Sequence, residues 1–493
     1  MKNVRNQVSV IAQSTAKYPE LAPYNPDSIY PELSRFLEPA STDESNVVYN
    51  SVRESFRLLG YDSANYGTVE WNPLGWLIHP GDTVFVKPNM IAEKHKLSDD
   101  WEYVITHGSI IRPMIDYSFL AMNGRGRIII GDAPQTDSKF DEIVRLMGLR
   151  EIQKLYKNFR DFDIEIINLQ DEFWVFKDDV FVEKVDLSGD PGGSLPFDLG
   201  NGSYFHELDG QGKTYYGAFY DIEETNRHHT GGKHEYLVSR SPVRADVFIS
   251  IPKLKTHKKC GLTVNLKSLV GINANKNWLP HYVFGSPDVG GDQFPAKDFK
   301  NRIENKLVVA AKKRLLKKNP LLQFVARKGK KIAYKIFGET EEVIRSGNWF
   351  GNDTVWRMAL DLNLILMYGE ADGHFRQAGE RKRYFSVVDG IVSMEGNGPV
   401  AGVPKMTGVT IAGESPVAVD AVSAKLMGFD WEKIPLIKNA FTNKRFPLAD
   451  FACDEIKVLS NVPSFDKNLP DILSSETFHF LPHFGWVGHI EEK

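Results

Sequence analysis

The stretch Lys253-Leu254-Lys255-Thr256-His257 sets three basic side chains at every second position. In an extended conformation all three share one face, and such a row repels itself unless an anion lies opposite. It therefore reads as an anion or carboxylate site. His257, crowded by lysines, is expected to have a lowered pKa, to stay neutral at working pH and to act as general acid or base. Lys87 in Lys87-Pro88-Asn89 and Asp132 in Gly131-Asp132-Ala133-Pro134 add a cation and a carboxylate, and Asp389-Gly390 adds a second carboxylate. The expected catalytic residues are His257, Lys253 and Asp389. The expected substrate-binding residues are Lys87, Asn89, Asp132, Lys255, Thr263, Asn265, Lys267, Glu395, Asn397 and Asp420.

These residues follow apolar runs that read as strands: Thr83 to Lys87, Arg127 to Gly131, Asp246 to Ile251 and Tyr384 to Asp389. Further strand patterns occur at Asp163 to Leu169 and Val409 to Ala412, and helical patterns at Ser109 to Met122 and Pro416 to Met427. Alternation of this kind predicts an α/β fold with a mostly parallel, Rossmann-like sheet covered by helices. In such sheets ligands sit outside the carboxyl ends of the strands, which is where the lysines, the histidine and the aspartates fall. Gly261 to Leu269 is expected to be a helix whose free amides add to the pull on an anion. Asn265 and Lys267, two apart, cannot share a helical face, so one of them is free to serve structure. Asp420 lies inside an apolar helix and needs a partner, either a lysine of the Lys253 row or a structural cap. The Glu395-Gly396-Asn397-Gly398-Pro399 loop permits close backbone approach, although a plain tight turn explains its glycines as well.

The chain has 493 residues, 60 Lys plus Arg against 64 Asp plus Glu, and two cysteines. That excludes a disulfide scaffold and an iron–sulfur cluster held by four cysteines of this chain. Length predicts two to three domains, divided here into an N-terminal arm (1–75), an α/β lobe (76–275) with an inserted hairpin region around 170–236, a basic helical insertion (276–350), a second part of the α/β core (351–461) and a C-terminal tail (462–493). Between Lys297 and Lys335 there are 14 Lys or Arg against Asp298 and Glu304, a local excess of +12. A solvated helical hairpin explains this, as does an interfacial helix on anionic lipid or a clamp for a polyanion. Nucleic acid is not the expected partner, since the local aromatics suit apolar faces. No apolar run suffices for a signal peptide or a spanning helix, so the expected compartment is the cytoplasm, with a peripheral membrane position as an extension of the basic stretch.

His228, His229 and His234 match no zinc spacing, and Arg227 and Lys233 would oppose a cation there; His281 stands alone after Pro280. No GxSxG elbow follows a strand, which disfavours a serine hydrolase.

The blocks Val86-Lys87-Pro88-Asn89, Gly131-Asp132, Ala245 to His257, Gly261-Leu262-Thr263 with Asn265-Leu266-Lys267, Val388-Asp389-Gly390 with Glu395 to Pro399, and Ser415 to Ala421 resemble, in order, the family catalogued as domain of unknown function 362. The resemblance spans about residues 80–275 and 350–460. It implies a shared fold and site without an assigned reaction. Some members carry ferredoxin-like cysteine runs, which this chain lacks. The family is also distantly similar to the amino-terminal part of the nickel-pincer lactate racemases, a fold-level analogy. Lys267-Ser268 stands where the family has Lys-Asn, and the basic insertion lies outside the shared pattern.

The expectation is thus a cytoplasmic enzyme acting on a small or lipid-linked anionic substrate, carboxylate- or phosphate-bearing, or else a non-catalytic anion-binding or membrane-docking protein. Asp132, Asp389, Glu395 and Asp420 would orient the bases or hold a divalent cation such as magnesium, given their oxygen-only donors.

Overall fold

The computed structural model describes residues 5–34, 42–177, 180–217, 221–296, 343–377, 379–443 and 445–492. The basic 297–335 stretch lies outside the described residues. The main sheet has ten strands: β1 (Gln7–Ala12), β2 (Thr83–Pro88), β3 (Arg127–Asp132), β4 (Ile164–Asn168), β5 (Val247–Ile251), β6 (Lys253–His257), β7 (Gly261–Thr263), β8 (Arg383–Glu395), β9 (Val403–Gly413) and β10 (Lys457–Ser460). Its order is β10-β1-β9-β8-β5-β2-β3-β4, with β6 pairing with both β8 and β7. The run β8-β5-β2-β3-β4 is parallel throughout. The fold is mixed α/β with a mostly parallel sheet, as the alternating pattern implies.

Burial of the sheet on both faces explains the near-continuous apolar strands. Phe85, Phe248 and Tyr384 stack on one face, while Val84, Val86, Val247 and Ile249 enter the core on the other. Two helices flank the site. Helix α1 (Gly108–Ala121) follows β2 and α2 (Pro416–Leu426) follows β9, each capped at its start by a side chain, His107 and Ser415 respectively.

Several elements differ from the pattern reading. Val8 to Ile11, at the head of the expected arm, lies inside the sheet between β9 and β10. The stretch from Gly261 is a strand followed by a helix of only four residues, Asn265–Ser268. Its leading amides are not free: Asn265 N and Leu266 N both donate to Asp420. Lys253 to His257 is itself a strand, because β8 runs on past Asp389 and offers it a parallel edge. Among the described residues, no helix is long and apolar enough to cross a membrane.

Candidate functional site

Parallel strands β2 and β3 end side by side, so Lys87 and Asp132 meet there at 3.0 Å. Lys87 is 1% exposed and also donates to Ser268 Oγ and to the Pro88 carbonyl. The Asp132 carboxylate accepts from the amides of Met90 and Ala133. Gly271 packs directly over this pair: a Cβ there would lie 1.7 Å from Asp132 Oδ1 and 2.8 Å from Lys87 Nζ. Only glycine lets the backbone approach so closely.

Lys87 and Asp132 form part of the wall of a cavity of about 370 Å³ at the carboxyl edge of the sheet. Lys258, Lys259, Lys267, Lys276 and Arg345 also line it, against two carboxylates among the described residues, Asp132 and Asp137. Lys267 decides its character. It is 8% exposed, and among the described residues its ammonium has no hydrogen-bond or ion-pair partner. Burial, with the charge on Lys87 adding to it, lowers its pKa. Lys276, whose Nζ donates to the carbonyls of Val270 and Asn273, is pushed down to about 7, chiefly by burial. Thr263 lines the same cavity, and its hydroxyl is buried without a hydrogen-bond partner among the described residues. A buried ammonium that no described residue pairs, set among further cations, favours an anion beside it.

Two imidazoles face the cavity in opposite states. His257 Nδ1 accepts the Lys259 amide hydrogen at 3.1 Å, so the neutral ring carries its hydrogen on Nε2. His281 Nδ1 lies 2.8 Å from the Leu279 carbonyl, to which it can only donate, so its Nε2 holds a lone pair. Burial first, then Lys267 and the lysines around it, holds the His257 pKa well below the usual value. Burial, followed by Lys259 and Lys267, does the same at His281. Both rings stay neutral near pH 7. One presents a donor and the other an acceptor to the same space.

The remaining expected site residues fall into separate groups. Asn89 lines the cavity and receives a bond from Lys255, whose Nζ also reaches the carbonyls of Val104 and Pro399. Lys255 thus lies behind the cavity wall. Lys253 and Asp389 form a fully buried pair at 2.7 Å, closed by Tyr18, which accepts from Lys253 and donates to Asp389. The His107 amide takes the other Asp389 oxygen, and its ring stacks on Tyr18 at 4.0 Å. This cluster does not line the cavity. Asn265 and Asp420 bind each other, and Asn265 Oδ1 accepts from Tyr384 and Ser386, so Asn265 serves structure while Lys267 faces the cavity. Glu395 pairs with Lys405 and the Leu481 amide. Asn397 lines an adjoining cavity. The four carboxylates considered for a cation are therefore dispersed, and no group of three or more His, Cys, Asp or Glu among the described residues could hold a metal. His229 and His234 are buried, bonded to the Trp278 carbonyl and to Asp209.

His281, Lys276 and Arg345, which line the cavity, were not singled out for this site from sequence, nor was Tyr18, which closes the Lys253–Asp389 pair behind it. A lone histidine after proline carries no local signal; its role comes from the 280–283 strand, which pairs with Tyr215 to Gly217 and carries the ring to the cavity.

Residues 212–425 match a family model described as Domain of unknown function (DUF362). The chain carries a DUF362 domain. The match includes His257, Lys267 and His281, whereas Lys87, Asn89 and Asp132 come from the preceding part of the chain, so the cavity is completed by residues outside the matched DUF362 region. No curated protein matches the chain.

Proposed function

We propose that the chain is an enzyme acting on a phosphate- or carboxylate-bearing small molecule held in the lysine-lined cavity. The observation that carries this reading is the Lys267 ammonium, without a partner among the described residues and buried in a cavity that also receives a histidine donor and a histidine acceptor. An anion bound there gains charge-assisted hydrogen bonds from groups already stripped of water, so little is lost in desolvating the protein side. His281 Nε2, uncharged and with its lone pair free of the Leu279 bond, is suited to accept a hydrogen bond from a substrate hydroxyl, and the His257 Nε2 hydrogen to bond the oxygen on which charge develops. Lys255 and the Lys253–Asp389–Tyr18 cluster hold the supporting strand from behind. Both cysteines are free and buried, which suits a reducing, cytoplasmic compartment.

Isothermal titration with inorganic phosphate and with acetate, run beside mass spectrometry of small molecules released from the purified protein, tests this. The expected result is saturable anion binding and a co-purifying phosphate or carboxylate compound, the binding weakened about ten- to a hundredfold and the compound depleted in Lys267→Met. Equal behaviour of the two proteins would discard the reading. The +12 excess of residues 297–335 supports a second role in docking on anionic lipid.

A further inference from the structure

A second cavity, of about 510 Å³, adjoins the first, and Gln135, Asp137, Lys258 and Pro399 line both. The two form one cleft with unlike ends. The inner end is dominated by cations. The outer end mixes donors and acceptors: Lys94, Lys96, Asn397 and His483 line it together with Glu93 and Ser138, and Val400 and Ala401 add apolar surface. His483 Nδ1 accepts the Gly485 amide hydrogen, leaving Nε2 as a donor. Burial, aided by Lys258, pushes its pKa down to about 3, so it stays an uncharged donor at neutral pH. The loop that supplies Asn397 is pinned, since a Cβ on Gly398 would lie 2.1 Å from the Thr256 carbonyl oxygen. The outer end is thus a built surface and not a frayed edge.

Donors and acceptors lining one cavity beside apolar surface suit hydroxyl groups, which both give and accept hydrogen bonds. A single phosphate would leave this end empty, whereas the whole cleft has the dimensions of a ligand site of roughly 300–1,000 Å³. Resting on the anion reading of the inner cavity, we infer that the ligand is a phosphorylated polyol: its phosphate among Lys87, Lys267 and Lys276, and its hydroxylated body against His483, Asn397 and Lys96.

Titration calorimetry with four probes tests this: inorganic phosphate, butyl phosphate, ribose 5-phosphate and myo-inositol 1-phosphate. At least one of the two polyol phosphates is expected to bind about tenfold or more tightly than butyl phosphate, a difference of about 1.4 kcal/mol. His483→Phe should bring it toward the butyl phosphate value while leaving inorganic phosphate unchanged. Lys96→Ala, on an exposed side chain, repeats the test without threatening the fold. If phosphate and butyl phosphate bind but neither polyol phosphate binds better, or the preference survives both substitutions, the outer end is wrongly assigned and the inner site stands. If no phosphate binds at all, both readings fall together.

Discussion

Replacing Lys267 by methionine should move binding and stability in opposite directions. The ammonium is buried and unpartnered among the described residues, and burial together with Lys87 holds its pKa below the usual lysine value. A bound anion would gain one charge-assisted hydrogen bond from it, worth about 1.5–3 kcal/mol, so Lys267→Met should weaken phosphate binding about ten- to a hundredfold. The same substitution removes an uncompensated buried charge and keeps an unbranched side chain in its place. Exchanges of buried charge for packed apolar groups stabilise by about 1–4 kcal/mol where they stabilise at all, and here no pairing with a described residue is forfeited. The sign with pH follows from linkage. A lysine whose folded pKa is depressed penalises the fold below that pKa, and the penalty fades as pH rises toward 10.5, where the unfolded chain also sheds the proton. The gain from Lys267→Met should therefore be larger at pH 7 than at pH 10. Calorimetric titration with phosphate and urea midpoints at pH 7 and pH 10 read both effects. An unchanged phosphate affinity, or a variant less stable than the parent at pH 7, would refute the reasoning, because each requires an unseen partner for the ammonium.

Lys276, at about 7, should give the chain a stability that climbs between pH 7 and 10.5, and Lys276→Met should flatten the slope by up to about 1.4 kcal/mol per pH unit in urea melts. Gly271→Ala drives a methyl into Asp132 and should break the buried Lys87–Asp132 pair, costing about 3–5 kcal/mol and abolishing phosphate binding by calorimetry. Asp420→Ala strips the acceptor from the Asn265 and Leu266 amides and the Asn265 side chain. It should cost about 3 kcal/mol or more in denaturant melts, with phosphate affinity of the folded protein little changed, as expected of a scaffold carboxylate. Deleting residues 297–335 should remove sedimentation with anionic vesicles at low salt; equal recovery of the full chain with neutral and anionic vesicles would rule out docking there.

Strand positions, the parallel sheet and the edge at which polar residues gather were readable from sequence, because periodicity and strand-end chemistry are local properties of Thr83 to Asn89, Arg127 to Asp132 and Val247 to His257. So was the shared face of Lys253, Lys255 and His257, since alternation in a strand needs no tertiary information. The destinations of those three side chains depended on folding. Lys253 meets Asp389 and Tyr18 from segments more than a hundred residues away, Lys255 is saturated by carbonyls, and His257 alone opens on the cavity. The choice between Asn265 and Lys267 was likewise left to packing: α2 brings Asp420 to the Asn265 amide, and Lys267 remains without a partner among the described residues. Which ring nitrogen of His257 and His281 carries the hydrogen was settled by one backbone amide and one backbone carbonyl. Composition and spacing name the groups that can do chemistry, but pairing is a contest among neighbours in space, and only the folded chain determines which charges are neutralised and which are left to face a ligand.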